Sequence, residues 1–443
     1  MKWISKRFAN YIKNISTLFA DNADGMAKSR STILLSNCLS AIISNLSGGY
    51  FLTGLLLIMK ADNNFIGMLS IVTLTCGFAQ LISPLILERI QKRKTLLISG
   101  RLIFHILNVG VLSIIPFIPF ENSAKLNLFL LITILAYIVN ALTMPGTAIW
   151  HIKNVPNSKQ ANMFSLINIV NAVITYIIMV LASRLVDVFK SGGSELAGIT
   201  IIRVLSLILA AGEIFLFTKI KEHTNENTGE SVNIRNILIR PWKEHSYLKT
   251  TAIVFIWTFA NNIPGPYLSI YLLKDVKLSY TFINTANLLY IPILLIMTPL
   301  WASAINRMGK IKTLYLSMLF YLIGVAAFPF ITAKTSFIFP IALVASFIFS
   351  PAINIIFALL PYSNMPKTDQ TNYISFYQTM VNAAAILGIF VGRQFIKITD
   401  GVNINFLGMQ MQNKQYLIFL QVIGILFCII YTYKINTREH MQL

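Results

Sequence analysis

The sequence predicts an all-α membrane protein in which twelve transmembrane helices form two six-helix bundles related by a parallel internal repeat. Three observations lead there: the composition, the number of long apolar runs, and a set of landmarks that recurs in the second half. Of 443 residues, 56% are hydrophobic and 12% are charged, and the mean hydropathy is +0.68. A soluble domain carries about 25% charged residues, so this chain has half the charge needed to cover a surface facing water. Disorder, a coiled coil and a disulfide-rich secreted scaffold fail on the same figures. Cys38, Cys76 and Cys428 all lie in apolar runs and say nothing of an oxidising compartment.

The elements follow in order. In residues 1–30, Trp3, Ile4, Phe8, Tyr11, Ile12, Ile15 and Phe19 recur at helical spacing opposite Lys2, Lys6, Asn10, Lys13 and Thr17. That pattern predicts an amphipathic segment lying on the cytoplasmic membrane surface, and no signal-peptide cleavage pattern accompanies it. A span needs about 20 mostly apolar residues. Twelve such runs occur: 31–59, 65–86, 95–119, 126–149, 163–186, 198–218, 251–273, 280–303, 313–332, 336–360, 373–396 and 416–433. They assign 31–218 to an N-terminal bundle, 219–250 to a cytoplasmic linker, 251–433 to a C-terminal bundle and 434–443 to a cytoplasmic tail. Within the linker, 222–231 is disorder-prone and 234–245 reads as a surface helix.

Orientation rests on Lys and Arg. With the N-terminus inside, the inner segments hold 24 of the 36 basic residues and the outer ones 10, leaving Arg101 and Arg203 within spans. Both termini are therefore expected in the cytoplasm, with the chain multi-pass in the cytoplasmic membrane. The net charge of +20 is explained by this bias, without a nucleic-acid partner.

The halves can be laid over each other. Asn45, Gly48 and Tyr50 in span 1 match Asn262, Gly265 and Tyr267 in span 7, displaced by 217. Ser83-Pro84-Leu85 matches Thr298-Pro299-Leu300. The basic loop from Arg89 (RIQKRKTL) matches that from Arg307 (RMGKIKTL), displaced by 218, and Pro156 onward matches Pro366 onward. With six spans per half, both halves begin on the same side, which makes the repeat parallel.

With these two basic loops and this order of elements, the chain resembles the major facilitator superfamily over almost its whole length. The family motif G-x-x-x-D-R-x-G-R-R is met by Pro84-x-x-x-Glu88-Arg89-x-Gln91-Lys92-Arg93, and again by Ala302-x-x-x-Asn306-Arg307-x-Gly309-Lys310. Both copies are degenerate: acidity survives at Glu88, and the glycine at Gly309. The resemblance implies that Glu88, Arg89 and Arg307 belong to an inner gate. Anchoring at the membrane edge by the positive-inside rule is the alternative. It also implies a central cavity lined mainly by spans 1, 4, 7 and 10, helped by 2, 5, 8 and 11.

Those spans carry amides, hydroxyls and aromatics. Span 1 has a stripe of Asn37, Ser40, Ser44 and Ser47. The candidate cavity residues are Ser44, Asn45, Tyr50, Asn140, Asn168, Asn171, Asn261, Asn262, Tyr267, Asn287, Tyr290, Asn354, Gln378 and Asn382. Taken singly, such groups serve as interhelical hydrogen bonds worth about 0.6 kcal/mol. As a set they gather on the spans expected to face the cavity. Amides beside aromatic platforms suit a neutral or zwitterionic polar solute such as a sugar, oligosaccharide, nucleoside or peptide-like compound. Neither sugar-porter motif is present, the eight cavity spans hold no mid-depth carboxylate, and no Arg or Lys is expected in the cavity.

The expected function is a secondary permease working by alternating access, with an exporter or flippase of an amphiphilic or lipid substrate as the alternative. The expected partners are a small-molecule solute, the bilayer and a coupling ion, proton or sodium, with no cofactor, no metal and a monomeric chain. An intramembrane enzyme would need HExxH or a catalytic dyad at membrane depth, and the sequence has neither. One buried carboxylate remains. Glu213 lies on span 6 at nearly the depth of Arg101 on span 3, with His105 one turn beyond. An unpaired charge at that depth costs a few kcal/mol. Three outcomes stay open: an Arg101–Glu213 ion pair, snorkelling of Arg101 to the interface, or a proton relay through His105 and Glu213. The pair is expected to lie away from the cavity, on the outer side of the N-terminal bundle.

Overall fold

The computed structural model describes residues 26–87, 90–156, 160–222, 240–360, 364, 370–399, 404–406 and 409–441. The first amphipathic segment and most of the linker, including the expected surface helix up to residue 239, lie outside these. Twelve helical spans run through the described residues. In the first half they are Ala27–Ser47 continued by Gly49–Ile58, Asn63–Cys76 continued to Leu87, Lys94–His105 continued to Phe117, Asn122–Lys153, Gln160–Ser191 and Glu195–Lys219. In the second half they are His245–Asn262 continued to Asp275, Tyr280–Leu288 with Tyr290–Met308, Lys310–Ala327, Ile338–Leu359, Gln370–Ile398 and Asn413–Met441. Ten are long and apolar enough to cross a membrane. Spans 2 and 7, both broken, are the other two. A 3₁₀ turn at Gly77–Leu81 splits span 2, and Pro264 ends the first part of span 7 because it has no N–H to donate. Between spans 11 and 12 an antiparallel hairpin pairs Ile404–Phe406 with Met409–Met411, where the sequence reading placed a plain loop.

The chain divides into two compact units, residues 1–60 with 76–232 and residues 61–75 with 233–443. The boundary departs from the expected 31–218 and 251–433, because the first part of span 2 groups with the second unit. Its packing explains this. Tyr267 lays its hydroxyl where a Cβ on Gly67 would stand, and Arg393 Nε donates to Asn64 Oδ1 at 2.7 Å.

The repeat is visible in the packing. Within the first unit span 1 packs on spans 5 and 6, and span 3 on spans 4 and 6. Within the second, span 7 packs on spans 11 and 12, and span 9 on spans 10 and 12. The same pairs meet, in the same order. One core of the first unit draws on all six of its spans: Ile33, Leu87, Leu97, Trp150, Met163 and Phe217. It closes beside the start of the linker. There Lys94 Nζ donates to the Thr218 and Ile220 carbonyls at 2.9 and 2.7 Å, and the Lys94 amide donates to Glu222 Oε1 at 3.0 Å. Glu222, expected at the edge of a disorder-prone stretch, thus sits at a helix N-terminus, where a carboxylate is favoured.

Candidate functional site: a polar pocket inside the first unit

Arg101, His105, Asn140 and Glu213 come together inside the first unit. Gly100 is the local cause, since a Cβ there would collide with Thr143. Spans 3 and 4 therefore approach closely at that level. From this position the Arg101 side chain reaches inward across span 4 to span 1. Its Nε donates to Glu213 Oε1 at 3.0 Å, its Nη1 to Asn140 Oδ1 at 3.3 Å, and its Nη2 to Ser40 Oγ. Nη2 also stands 3.0 Å from Glu213 Oε1. His105 Nε2 meets the other carboxylate oxygen, Oε2, at 2.8 Å. The Glu213 side chain is 1% exposed and that of Arg101 14%. Arg101 has not snorkelled to the interface.

These groups border a pocket of about 150 Å³ lined by Asn37, Ser40, Arg101, Asn140, His151 and Glu213 among others. Two expectations change here. The ion pair does not lie on the outer side of the bundle, because Arg101 and Glu213 border this pocket together with residues of spans 1 and 4. A pocket-lining arginine also exists, although it stands on span 3 rather than on a span expected to face a cavity. Asn37, Thr147 and His151 were missed as site residues. The stripe on span 1 held the signal for Asn37 and Ser40. His151, at the end of span 4, carried none beyond its type.

Arg203, the second charge within a span, is 1% exposed and has a different role. Its Nη1 donates to the Ser47 carbonyl at 3.0 Å, its Nη2 to the Asn108 carbonyl at 2.7 Å and its Nε to Ser113 Oγ at 2.7 Å. Ser47 is the last residue before span 1 breaks at Gly48, and Asn108 lies in a π-helical turn over Ile106–Val111. Both carbonyls stand where the helix departs from regular α geometry, and one fork-shaped guanidinium donates to them together.

The remaining candidates are distributed over both units. In the first, Ser44, Asn45 and Asn168 are exposed, Tyr50 and Asn171 are half-buried, and the Asn45 amide bonds back to the Ala41 carbonyl at 2.8 Å. In the second, Asn354 and Gln378 are exposed, while Asn287, Tyr290 and Asn382 are half-buried. Asn262 bonds back to Thr258 at 2.8 Å, and Asn287 to Ile283 at 2.9 Å. Asn261 accepts from Gln421 Nε2 of span 12 at 3.0 Å, an interhelical brace. Tyr267 is 1% exposed and fills the space over Gly67. Gly265 is not a packing glycine, for a Cβ there would meet only Asn262 Oδ1 at 3.9 Å. Close approach of spans 7 and 11 relies instead on Gly388 and Gly392, which lie against the carbonyls of Phe259 and Ile263. Arg307 is exposed at the end of span 8, and Gly309 after it has φ +83°, a left-handed turn that glycine makes without strain. Glu88 and Arg89 lie outside the described residues. Among the described residues no group of three His, Cys, Asp or Glu could hold a metal ion.

Comparison with known proteins agrees with this architecture. No curated protein matches the chain by sequence. Among solved structures, a bacterial homologue of the iron transporter ferroportin in its inward-facing state superposes with a TM-score of 0.69 at 15% identity, covering 92% of this chain and 98% of that one. A single-site mutant of the nucleoside transporter NupG gives 0.65 at 12%, covering 92% and 99%. The xylose transporter XylE from E. coli, in a partially occluded inward-open conformation, gives 0.65 at 12%, covering 92% and 97%. At these identities the likeness is one of fold. The family described as Major Facilitator Superfamily matches residues 33–389. By that match the chain belongs to the major facilitator superfamily and is one of its membrane transporters.

Proposed function

We propose that this transporter moves a small neutral or zwitterionic polar solute across the cytoplasmic membrane by alternating access, with both termini in the cytoplasm and the chain acting as a monomer. One observation carries the reading: the polar groups within the spans carry almost no uncompensated charge. Arg101 is neutralised by Glu213, and Arg203 is spent on two backbone carbonyls and a hydroxyl. What each unit leaves exposed along its spans is amide: Asn45 and Asn168 in the first, Asn354 and Gln378 in the second. Exposed amides well inside a span are costly against lipid and are at home along a water-filled path. Donors and acceptors without net charge match solutes that hydrogen-bond and are not polyvalent ions.

Flux in reconstituted vesicles tests this, using radiolabelled sugars, nucleosides, amino acids and dipeptides, with and without a pH or sodium gradient. Uptake of at least one such solute, saturable and competed by its relatives, is expected. Transfer of a headgroup-labelled lipid with no soluble solute carried overturns the reading in favour of a flippase.

A further inference from the structure

We infer that the pocket of the first unit seats neighbouring hydroxyls of a small neutral polyol, an alditol or a sugar; this narrows the solute class proposed above and rests on it. The hydrogen bonds already made settle what each lining group has left to offer. Arg101 has only donors, so the Asn140 atom it meets at 3.3 Å is the oxygen, and the two Asn140 N–H remain. Ser40 Oγ likewise accepts from Arg101, which leaves its O–H. A backbone carbonyl only accepts, so the opposite holds for side chains that bond to one. Asn37 gives its amide nitrogen to the Ile33 carbonyl at 2.8 Å and keeps Oδ1. Ser36, Thr143 and Thr147 give their hydroxyl hydrogens to the carbonyls of Ile33, Val139 and Thr143 and keep oxygen lone pairs. The Glu213 carboxylate is a further acceptor in the lining. His151 Nε2, bordering the same pocket, is buried and without a partner; it donates in one tautomer and accepts in the other.

The lining thus mixes donors with acceptors, and its two charges cancel in the Arg101–Glu213 pair. A carboxylate or phosphate would leave the acceptors unmet and lie against Glu213. An ammonium would leave the donors unmet and lie against Arg101. Buried polar groups without partners are costly, so both kinds of ion fit badly. A hydroxyl donates and accepts through one oxygen. A row of hydroxyls therefore meets both sets, and it satisfies His151 in either tautomer. Met144, Ala148 and Phe217 complete the lining and offer apolar surface to the C–H groups between the hydroxyls. At about 150 Å³ the space is that of a cavity known to hold a benzene. That admits a polyol of a few carbons, or one end of a longer one, and not a whole disaccharide.

The test uses the full-length chain in reconstituted vesicles, loaded with an unlabelled solute and diluted into the same solute in radiolabelled form, so that exchange is read even where binding is weak. The probes are ribitol and ribose, the analogues 2-deoxyribose and 5-deoxyribose, and alanine, acetamide, choline and uridine for comparison. Ribitol and ribose should exchange saturably. At least one deoxy analogue should exchange about tenfold less well than ribose, because a site that bonds a hydroxyl rejects the analogue without it. Asn140→Asp keeps the shape and the acceptor for Arg101 but turns two donors into a charged acceptor, and it should cut ribose exchange about tenfold. Asn37→Leu, which removes the Oδ1 acceptor, should cut it several-fold. Size-exclusion chromatography checks that each variant folds, and the deoxy analogues test the inference on the unaltered chain should neither do so. Equal exchange of ribose and both analogues, or folded variants that exchange ribose as the unaltered chain does, overturns the inference. Exchange of alanine, acetamide or uridine with neither ribitol nor ribose also overturns it, while leaving the proposal of a neutral or zwitterionic solute standing. If only choline is exchanged, only lipid is transferred, or no solute moves, both fall.

Discussion

Replacing Glu213 by Gln isolates the charge of the buried cluster from its shape. Glu213 stands six residues from the end of its helix at Lys219, about 9 Å along the axis, and it meets Arg101 and His105 at 2.8–3.0 Å. Removing one partner of a buried pair costs about 3–5 kcal/mol. Two features reduce this. The glutamine oxygen still accepts from Arg101, and Arg101 keeps Asn140 and Ser40. The amide nitrogen then faces His105 Nε2, which becomes an acceptor by moving its proton to Nδ1, a nitrogen that is buried and unpartnered. We therefore expect a loss of about 2–3 kcal/mol. At about 2–4 °C per kcal/mol for a unit of 150–250 residues, the midpoint should fall by about 5–10 °C in detergent-purified protein. The paired variant Arg101→Gln completes a double-mutant cycle, and its coupling should exceed about 1 kcal/mol. A Glu213→Gln protein that melts within about a degree of wild type, or a cycle additive to within experimental error, refutes the ion-pair account. A different refutation would come from vesicles. Abolished proton-driven accumulation with intact exchange, in a normally stable Glu213→Gln protein, makes Glu213 a coupling site.

Arg203→Met strips the partners from the Ser47 and Asn108 carbonyls. At about 1.5–3 kcal/mol for a hydrogen bond from a charged group, a lower midpoint is expected, with faster amide exchange in residues 45–52; unchanged exchange there refutes the bracing role. Gly392→Leu drives a side chain into the Ile263 carbonyl and should abolish recovery of folded protein by size-exclusion chromatography, whereas Gly265→Ala, in open space, should be recovered normally. Cysteines at Asn122 and Ser191 should react with an impermeant thiol reagent from outside the cell, and those at Gln91 and Asn306 should not; the reverse pattern overturns the charge-based orientation.

The architecture was legible because it depends on long-period signals. Twelve apolar runs and a set of recurring landmarks survive uncertainty over any single residue, and the twelve helical spans and their repeated pairing are their counterparts. The break in span 7 was likewise readable from Pro264-Gly265-Pro266. The site was less so, because which face of a helix turns inward depends on close approaches that single residues decide. Gly100 admits Thr143, and with it the reach of Arg101; nothing in the polar pattern ranks that glycine above the others. Asn261 and Tyr267 looked like cavity residues by type, yet one is bonded to Gln421 and the other is packed over Gly67. Arg203 was unreadable for another reason. Two of its three partners are backbone carbonyls, and backbone atoms leave no trace in a side-chain pattern.

The repeat also shows where the two units have diverged. Arg203 of span 6 and Gln421 of span 12 each stand on the last helix of their unit. Arg203 reaches the Ser47 carbonyl of span 1, and Gln421 reaches Asn261 of span 7. Each unit thus ties its last helix to its first beside the point where that first helix breaks, using a long polar side chain. The charges of the first unit have no such counterparts. At the displacement of 218 set by the basic loops just before spans 3 and 9, Arg101 and His105 correspond to Leu319 and Ile323, so the second unit has no cation at those positions from which to form an equivalent cluster. Bracing of the broken helix is common to both halves, as a shared mechanical need would require. The ionic cluster belongs to one half, so it answers no mechanical need that both halves share.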